Sequence, residues 1–437
     1  MNFRNFVSSG VGKSAGALLR LKGSHASALP GLIIEKIDPR FLLRILSTLP
    51  LGVAVISGTN GKTTTTKMVV ELLEKNGLRV FTNDSGSNWA RGVASAAAQK
   101  MRGGRLDFDI AVLELDEAHA VKFVHQIQPR FALLLNVLRD QLDRFGEIDT
   151  TAKMLAEIAK NTTNQIVLNA NDPRIARDEK ITKAAVSWFG FAPKLASIFP
   201  TDEQLHDTKK VTLEQTPAHH STDKIQLVDF DKQSVAQYAL AGQMIREKLS
   251  AGGAHNALNG AAALALVKVI LTTKTAKKSP RYFDFARNCN LLARVQPAFG
   301  RGETTTIGGR IVSLNLVKNP AGFQSVLRGV DSNMPTLFLV NDQYADGRDV
   351  SWLYDVDFRK FKYNSTVMTG GVRAFDIALR LSYDDVKVAN VEPDIGVILK
   401  QFLQIDSSEV QIFATYTAML ATRQLLTKYI KSGENHD

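Results

Sequence analysis

The run Ser57-Gly58-Thr59-Asn60-Gly61-Lys62-Thr63-Thr64 constrains this chain more than any other feature. Before it stands Gly52–Ser57, GVAVIS, a short β-branched apolar run that reads as a buried strand. After it, Met68, Val69, Leu72 and Leu73 recur at helical spacing within Thr63–Asn76, and Gly77 supplies the stop. Strand, glycine turn and helix form the setting that a phosphate-binding loop requires. Glycines let backbone N–H groups turn inward around phosphate oxygens, and the helix N-terminus adds partial positive charge. Lys62 is then placed to reach the β- and γ-phosphates of a nucleotide, and the Thr63 hydroxyl to ligate Mg²⁺. The longer form G-x-x-x-x-G-K-[ST] is not met, because Ile56 holds the position of its first glycine; the shorter G-T-N-G-K-T is met. A glycine-rich turn that binds no nucleotide is the bland alternative.

Magnesium needs more oxygen ligands than one hydroxyl. Glu114 closes the apolar run Asp109–Leu115, and a carboxylate at the C-terminal end of a strand faces the ligand crevice of an open α/β sheet. Asp116 and Glu117 follow it and suit a solvated acidic loop. Further apolar runs at Leu78–Thr82, Phe131–Val137 and Gln165–Asn169 alternate with helix-like segments. That alternation means βαβ units and a mostly parallel sheet covered on both faces.

From about Ser197 to Tyr238 polar residues dominate, which reads as an antiparallel insertion or a long irregular excursion. Ser250–Thr272 reads as a helix and Thr273–Arg281 as a loop. Beyond Arg301-Gly302-Glu303 the alternation restarts, with strands expected at Arg310–Leu316, Thr336–Asn341, Asn364–Thr369 and Asp385–Val388. A chain of 437 residues holds more than one domain. The expected division is an N-terminal basic segment at 1–50, a nucleotide-binding unit at 51–300 and a second α/β unit at 301–437.

Charge narrows the partners. Lys and Arg number 54 against 43 Asp and Glu, and a net +11 suits a nucleotide, a nucleic acid or a membrane surface. Between Met1 and Ile34 stand Arg4, Lys13, Arg20 and Lys22 and no acid. Such a stretch either touches anionic headgroups or packs as a helix on its own domain; an organellar transit peptide fits poorly. No uninterrupted apolar run approaches the roughly 18 residues of a membrane span, and the N-terminus lacks a secretory core. Cys289 is the only cysteine, so an intrachain disulfide and a Cys-based zinc site are excluded and a reducing cytoplasm is the simple reading. Its setting, RNCNLLARV on an apparent helix, reads as packing rather than as a nucleophile.

The motifs and their order resemble the Mur ligase superfamily, ATP-dependent enzymes that form amide bonds on cell-wall precursors and on folate. G-T-N-G-K-T is that superfamily's loop, and Glu114 falls at its magnesium-binding glutamate. Asn136 to Gly146 is similar to N-x-x-x-D-H-x-D-x-x-G, with Gln141 where the family carries histidine, which puts a second metal site in doubt. Lys153 lies near the family's carbamylated lysine, with a helix-surface lysine as the alternative. Asn169-Ala170-Asn171-Asp172-Pro173 resembles the nucleotide-contact turn, and Gly253 to Asn259 resembles G-x-H-N-x-x-N, whose asparagines, here Asn256 and Asn259, contact the adenine. Only 57 residues precede Gly58, fewer than the UDP-binding domain of enzymes acting on soluble UDP-muramoyl precursors.

The second half narrows the resemblance. Phe299 to Glu303, Lys318 to Phe323, Asn341 to Trp352 and Thr415 to Met419 resemble the MurT family. The resemblance implies an α/β Mur-type fold with a second C-terminal α/β unit, and a ligase using ATP and Mg²⁺ that amidates the D-glutamate α-carboxylate of lipid II through an acyl phosphate. Its implied site residues are Gly58, Thr59, Asn60, Gly61, Lys62, Thr63, Thr64, Asn169, Asp172, Asn256 and Asn259 for the nucleotide, and Thr63 with Glu114 for magnesium. Its implied partners are a GatD-type glutamine amidotransferase supplying ammonia in a heterodimer, and lipid II at the membrane surface, with no nucleic acid. An aspartate completes that partner's Cys-His pair; Asp349 matches best, and Asp346 and Asp355 compete. The implied place is the cytoplasm, peripheral at the inner face of the plasma membrane. Many members carry a four-cysteine zinc ribbon in the middle domain; here that stretch offers only His206, His219 and His220, so the ribbon is expected without zinc, or absent. Two rivals are another amide ligase, such as a folylpolyglutamate synthase, and a nucleotide-binding scaffold without chemistry.

Overall fold

The structure is a computed structural model that describes residues 29–83, 90–138, 148–199, 223–231, 233–250, 252–275, 281–296 and 301–432. The N-terminal basic stripe before residue 29, Gln141 and the three loop histidines lie outside the described residues.

Nine strands form the first sheet: β1 Val53–Ser57, β2 Val80–Phe81, β3 Ile110–Glu114, β4 Phe131–Leu134, β5 Gln165–Asn169, β6 Ala185–Phe191, β7 Ile225–Phe230, β8 Val235–Leu240 and β9 Gln243–Lys248. Their order is β2-β3-β1-β4-β5-β6-β7-β8-β9. The strands from β2 to β7 pair in parallel, with Ile56 opposite Glu114 on one side of β1 and Leu133 on the other. Every residue of β1, β3 and β4 is buried, which follows from helices covering both faces of a parallel sheet. The chain runs from β1 outward to β2, returns through β3 and then crosses to β4. The order therefore reverses at β1, and a crevice opens beyond the C-terminal ends of β1, β3 and β4.

From residue 223 on, the polar stretch after β6 is antiparallel: β7, β8 and β9 extend the sheet as a meander and run past Tyr238 to Lys248, while 200–222 lie outside the described residues. One core face is covered by the helix Ala254–Thr272, apolar on all sides, which packs on β6, β7 and the helix Lys62–Lys75. Length and composition alone would let it cross a membrane, yet 67% of its apolar window is buried inside the protein. Cys289 lies in the same core, and burial pushes its thiol up, away from the reactive thiolate. The described part of the N-terminal segment, with Ile34, Phe41, Ile45 and Leu46, is buried on the other face.

Six strands form the second sheet: β10 Arg301–Ile307, β11 Arg310–Leu316, β12 Thr336–Leu339, β13 Val367–Gly370, β14 Val388–Glu392 and β15 Glu409–Ala414. The order is β10-β11-β15-β12-β13-β14, parallel except for the β10–β11 hairpin. The strand expected at Asp385–Val388 begins only at Val388, because Asp385 adopts a left-handed turn conformation at φ +57°.

Asp178 is expected to give this fold a pH dependence. It is 2% exposed, and its Oδ2 has no hydrogen-bond partner. Burial lifts its pKa to about 7, against the pull of Arg177 and with a push from Asp172. The folded value exceeds the unfolded one near 4, so the stability held by the protonated carboxyl is complete below pH 4 and is lost as pH rises through 7. Asp178→Asn is expected to raise stability at pH 8 by about 2 kcal/mol, less than the full shift of about 4 because the amide that replaces the carboxylate is itself buried without a partner at that atom. It should also flatten the profile between those values in urea melts; an unchanged profile would acquit Asp178.

Candidate active site

The glycine loop sits at the crevice where the strand order reverses. β1 ends at Ser57, whose hydroxyl donates to the Leu115 carbonyl at 2.9 Å and ties the ends of β1 and β3 together. Gly58 at φ +134° and Gly61 at φ +91° occupy backbone conformations that side chains resist. A Cβ on Gly58 would lie 3.0 Å from the Asn136 nitrogen, and one on Gly61 would collide with Asn259 Oδ1. The outer wall is fastened to the end of β4. Thr59 N donates to the Asn136 carbonyl at 3.0 Å, Asn60 N donates to Asn136 Oδ1 at 2.9 Å, and Asn136 Nδ2 donates back to the Asn60 carbonyl at 3.0 Å. The helix Lys62–Lys75 starts directly from Gly61 with no side chain capping it, so its first N–H groups face the loop.

Three acidic or hydroxyl groups converge beside Lys62. The Thr63 hydroxyl donates to Glu114 Oε1 at 2.8 Å. Glu114 is held by Asn83, which accepts from the Glu114 N–H at 3.0 Å and donates to its carbonyl at 2.9 Å. Lys62 Nζ donates to the Gly58 carbonyl at 2.5 Å and to Glu117 Oε1 and Oε2 at 3.1 and 3.3 Å. Glu117 is thus buried and paired, which corrects the expectation of a solvated loop acid. Asp116 instead precedes the helix Glu117–Gln126 as its N-cap residue. The uncapped helix start at the glycine turn and the hard oxygen donors Thr63 and Glu114 fit a phosphate chain with a magnesium ion. Among the described residues no cluster of three or more His, Cys, Asp or Glu could hold a metal by itself.

The remaining expected nucleotide residues divide into two kinds. Asn259 touches the loop at Gly61. Thr64 is buried in the first helical turn. Asp172 and Asn169 spend their side chains on backbone. Asp172 accepts from Val137 N at 2.7 Å and from Arg174 N and Ile175 N at 2.9 and 3.2 Å. Burial pushes its carboxyl up, and these three donors oppose the shift. Asn169 donates to the Leu135 carbonyl at 2.8 Å and accepts from Asn171 N at 2.9 Å, bracing β4 against β5. Asn256 Nδ2 donates to the Gly252 carbonyl at 2.8 Å. Lys153 is exposed on the helix Ile148–Asn161.

The segment that follows β11 reaches the loop itself. Asn319 Nδ2 donates to Asn60 Oδ1 at 3.1 Å, and Lys318 Nζ lies 3.5 Å from the Thr59 carbonyl. Asn319 is fully buried and caps the helix Pro320–Arg328 through Gly322 N at 2.7 Å. In the sequence these residues appeared only as part of a motif; their contact with Asn60, across 259 positions, leaves no local signal.

The loop after β12 carries the three competing aspartates. Asp346 is buried and spent: it accepts from Thr417 N at 2.7 Å, from the Thr417 hydroxyl at 2.5 Å and from Gln343 N at 3.1 Å. Asp349 is half-buried, and its Oδ1 accepts from Ser351 N at 2.8 Å, which opens the short 3₁₀ turn Ser351–Asp355. Asp355 is exposed at the end of that turn.

Two family models match the chain: the Mur ligase middle domain over residues 56–267 and the MurT ligase C-terminal domain over 316–419. The lipid II isoglutaminyl synthase (glutamine-hydrolyzing) subunit MurT of Streptococcus pneumoniae is 30% identical, over 98% of both chains. The protein of the same description from Staphylococcus aureus is 27% identical over 99% of this chain and all of its own. Among solved structures, MurF from Acinetobacter baumannii aligns with a TM-score of 0.66 at 16% identity over 93% of this chain and 81% of its own. MurF ligase from Thermotoga maritima in complex with ADP aligns with the same TM-score and identity over 92% and 85%. These two establish the fold: α/β, with a central, mostly parallel sheet and a mixed second sheet.

Proposed function

From the premise that the chain belongs to the MurT family of Mur-type ligases, we propose that it is the ATP-using subunit of a two-subunit synthase that amidates the D-glutamate α-carboxylate of the lipid II stem peptide. The observation that carries this reading is Lys62 and the Thr63–Glu114 pair in a glycine cradle at the sheet's switch point. Relatives matched over their whole length are named for that activity, which favours it over a folylpolyglutamate synthase.

A carboxylate carbon resists ammonia because its oxyanion donates into it. In the proposed reaction a carboxylate oxygen attacks the γ-phosphorus of ATP, the bond to the bridging oxygen breaks, and ADP leaves. Ammonia then adds to the acyl carbon of the acyl phosphate, loses a proton, and expels inorganic phosphate. Residues Gly58 to Thr64 cradle the phosphates, and Lys62 takes up their charge. Thr63 and Glu114 would hold Mg²⁺, which when bound would supply positive charge against the transferring group. Asn256 and Asn259 would contact the adenine, as the family resemblance implies, while Asn169 and Asp172 hold the turn in shape. The Asn60–Asn319 contact couples the loop to the second unit, which we divide from the first near residue 300 and which would keep water from the intermediate.

Ammonia comes from a GatD-type glutaminase, because the single cysteine of this chain is buried with its thiol protonated. A face for that partner adjoins Asp349. On the helix Ala374–Ser382, Ala374, Ile377 and Leu381 are buried, while Phe375, Leu379 and then Tyr383 repeat at four-residue spacing, each more than half exposed. The ring of Tyr354, also more than half exposed, lies 6.0 Å from that of Tyr383 and continues the face into the turn that Asp349 opens. Arg380 fastens turn and helix together, donating to the Leu353 carbonyl at 3.2 Å and to the Val356 carbonyl, with Asp384 at 3.0 Å. Leu379→Asp is expected to weaken co-purification with the glutaminase at least about 30-fold and to leave nucleotide binding intact. Undiminished co-purification would move the docking face elsewhere.

The function itself is tested with the co-expressed complex, lipid II, ATP and Mg²⁺, reading the amide by mass spectrometry. Amide formation with glutamine or with ammonium is expected, with one ADP per amide. No amide from either nitrogen source would sink the reading and leave the scaffold alternative. Such an enzyme works in the cytoplasm, peripheral at the inner face of the plasma membrane, where its lipid substrate lies.

A further inference from the structure

We propose that Glu117 is a positioning residue that holds Lys62 in the phosphate site and makes nucleotide entry depend on a divalent cation. The inference rests on the nucleotide reading of the loop and assigns a role to a residue that reading leaves idle. Lys62 Nζ has three N–H donors. It directs them at the Gly58 carbonyl at 2.5 Å, the Thr59 carbonyl at 3.4 Å and Glu117 at 3.1 and 3.3 Å. Both side chains are under 10% exposed, at 8% and 4%, so water screens the pair little. Glu117 is the first residue of the helix Glu117–Gln126, where the helix dipole favours a negative charge. The helix start therefore favours the acid at this position, although the buried carboxylate still depends on Lys62 as its counter-ion.

A phosphate chain entering the cradle competes with Glu117 for the same ammonium. If it wins, a buried carboxylate is left within a few ångströms of phosphate oxygens, a like-charge contact in a poorly screened place. A divalent cation held by Thr63 and Glu114 offsets both negative groups at once. Metal-free nucleotide meets the repulsion uncompensated. Glu117 thus acts through Lys62 on which form of the nucleotide is admitted, without touching the reacting atoms.

The test is ADP binding to the purified complex, by fluorescence titration of a labelled ADP and displacement with unlabelled ADP, in magnesium and in excess chelator. Wild-type protein is expected to bind ADP at least about 10-fold more tightly with magnesium. Glu117→Gln, which keeps the shape and removes the charge, is expected to tighten metal-free binding about 10- to 100-fold and to change magnesium-supported binding little. A merely structural role would weaken both. Equal metal-free affinities in wild type and Glu117→Gln would overturn the proposal, as would equal tightening in both conditions. Should Glu117→Gln not fold, the wild-type ratio decides: equal ADP affinity with and without magnesium overturns it. No ADP binding in either condition would overturn the nucleotide reading and the proposal with it.

Discussion

Lys62→Ala is expected to cut ATP-dependent amidation by at least about 10²- to 10³-fold, the loss that follows removal of one preorganised charge-stabilising donor. The assay supplies ammonium as nitrogen source, so glutamine hydrolysis is not on the path. Stability should fall as well, by about 3 kcal/mol, because Glu117 is left buried without its counter-ion. That cost would confuse the result if the single variant stood alone. The double variant Lys62→Met with Glu117→Gln removes both charges; it is expected to melt close to wild type and to remain inactive. Thr63→Ala and Glu114→Gln should lose activity through the metal instead, with a raised magnesium requirement. Wild-type amidation by Lys62→Ala, or by the double variant, would remove the loop from the chemistry. Unchanged magnesium dependence in Glu114→Gln would remove that residue alone.

How much of this site could be seen in the sequence follows from how local each feature is. The loop was legible because its signal is contiguous: β1, two glycines in strained positions and the helix start all fall within Val53–Lys75. Glu114 was legible because it ends a fully apolar strand. Glu117, three residues on, was not. Its partner lies 55 positions away, and beside Asp116 it looks like one more solvated acid. Asn83 is a similar case, an ordinary polar residue past a two-residue strand that holds both backbone groups of Glu114. In the fold, β10 escaped because Arg301–Ile307 is mostly threonine and charge, and its pairing comes from the hairpin with β11. β15 had no place in the sequence reading at all. It is the last strand among the described residues, yet it lies between β11 and β12, an insertion that no local periodicity can announce. The polar stretch after β6 kept two readings open because its strands border solvent and show weak apolar runs; the meander emerges only from pairing with β6.

Asp349→Asn is expected to separate the two half-reactions. Glutamine hydrolysis by the complex should fall about 10³- to 10⁴-fold, as when the aspartate of a triad no longer orients and charge-stabilises its histidine. Nucleotide binding should be unchanged, and free ammonia at high pH should restore amidation, since it bypasses the glutaminase. The geometry makes the substitution a clean one. Asn at this position retains an Oδ1 to accept from Ser351 N, so the 3₁₀ turn keeps its start while the charge is lost. The loop on either side is braced independently: Asp346 holds Thr417, Arg373 pairs with Asp342 at 2.8 Å, and Arg380 holds the turn's carbonyls. A collapse of the loop is therefore not the expected cause of any loss. Asp346→Asn, by contrast, should weaken the loop's attachment to the helix Tyr416–Ser432 and lower stability, because both carboxylate oxygens carry bonds there. If Asp349→Asn hydrolyses glutamine at the wild-type rate, or if ammonia fails to rescue it while nucleotide still binds, the triad assignment is wrong. The next aspartate to replace is then Asp355, since it is exposed on the same turn whereas Asp346 is committed to Thr417.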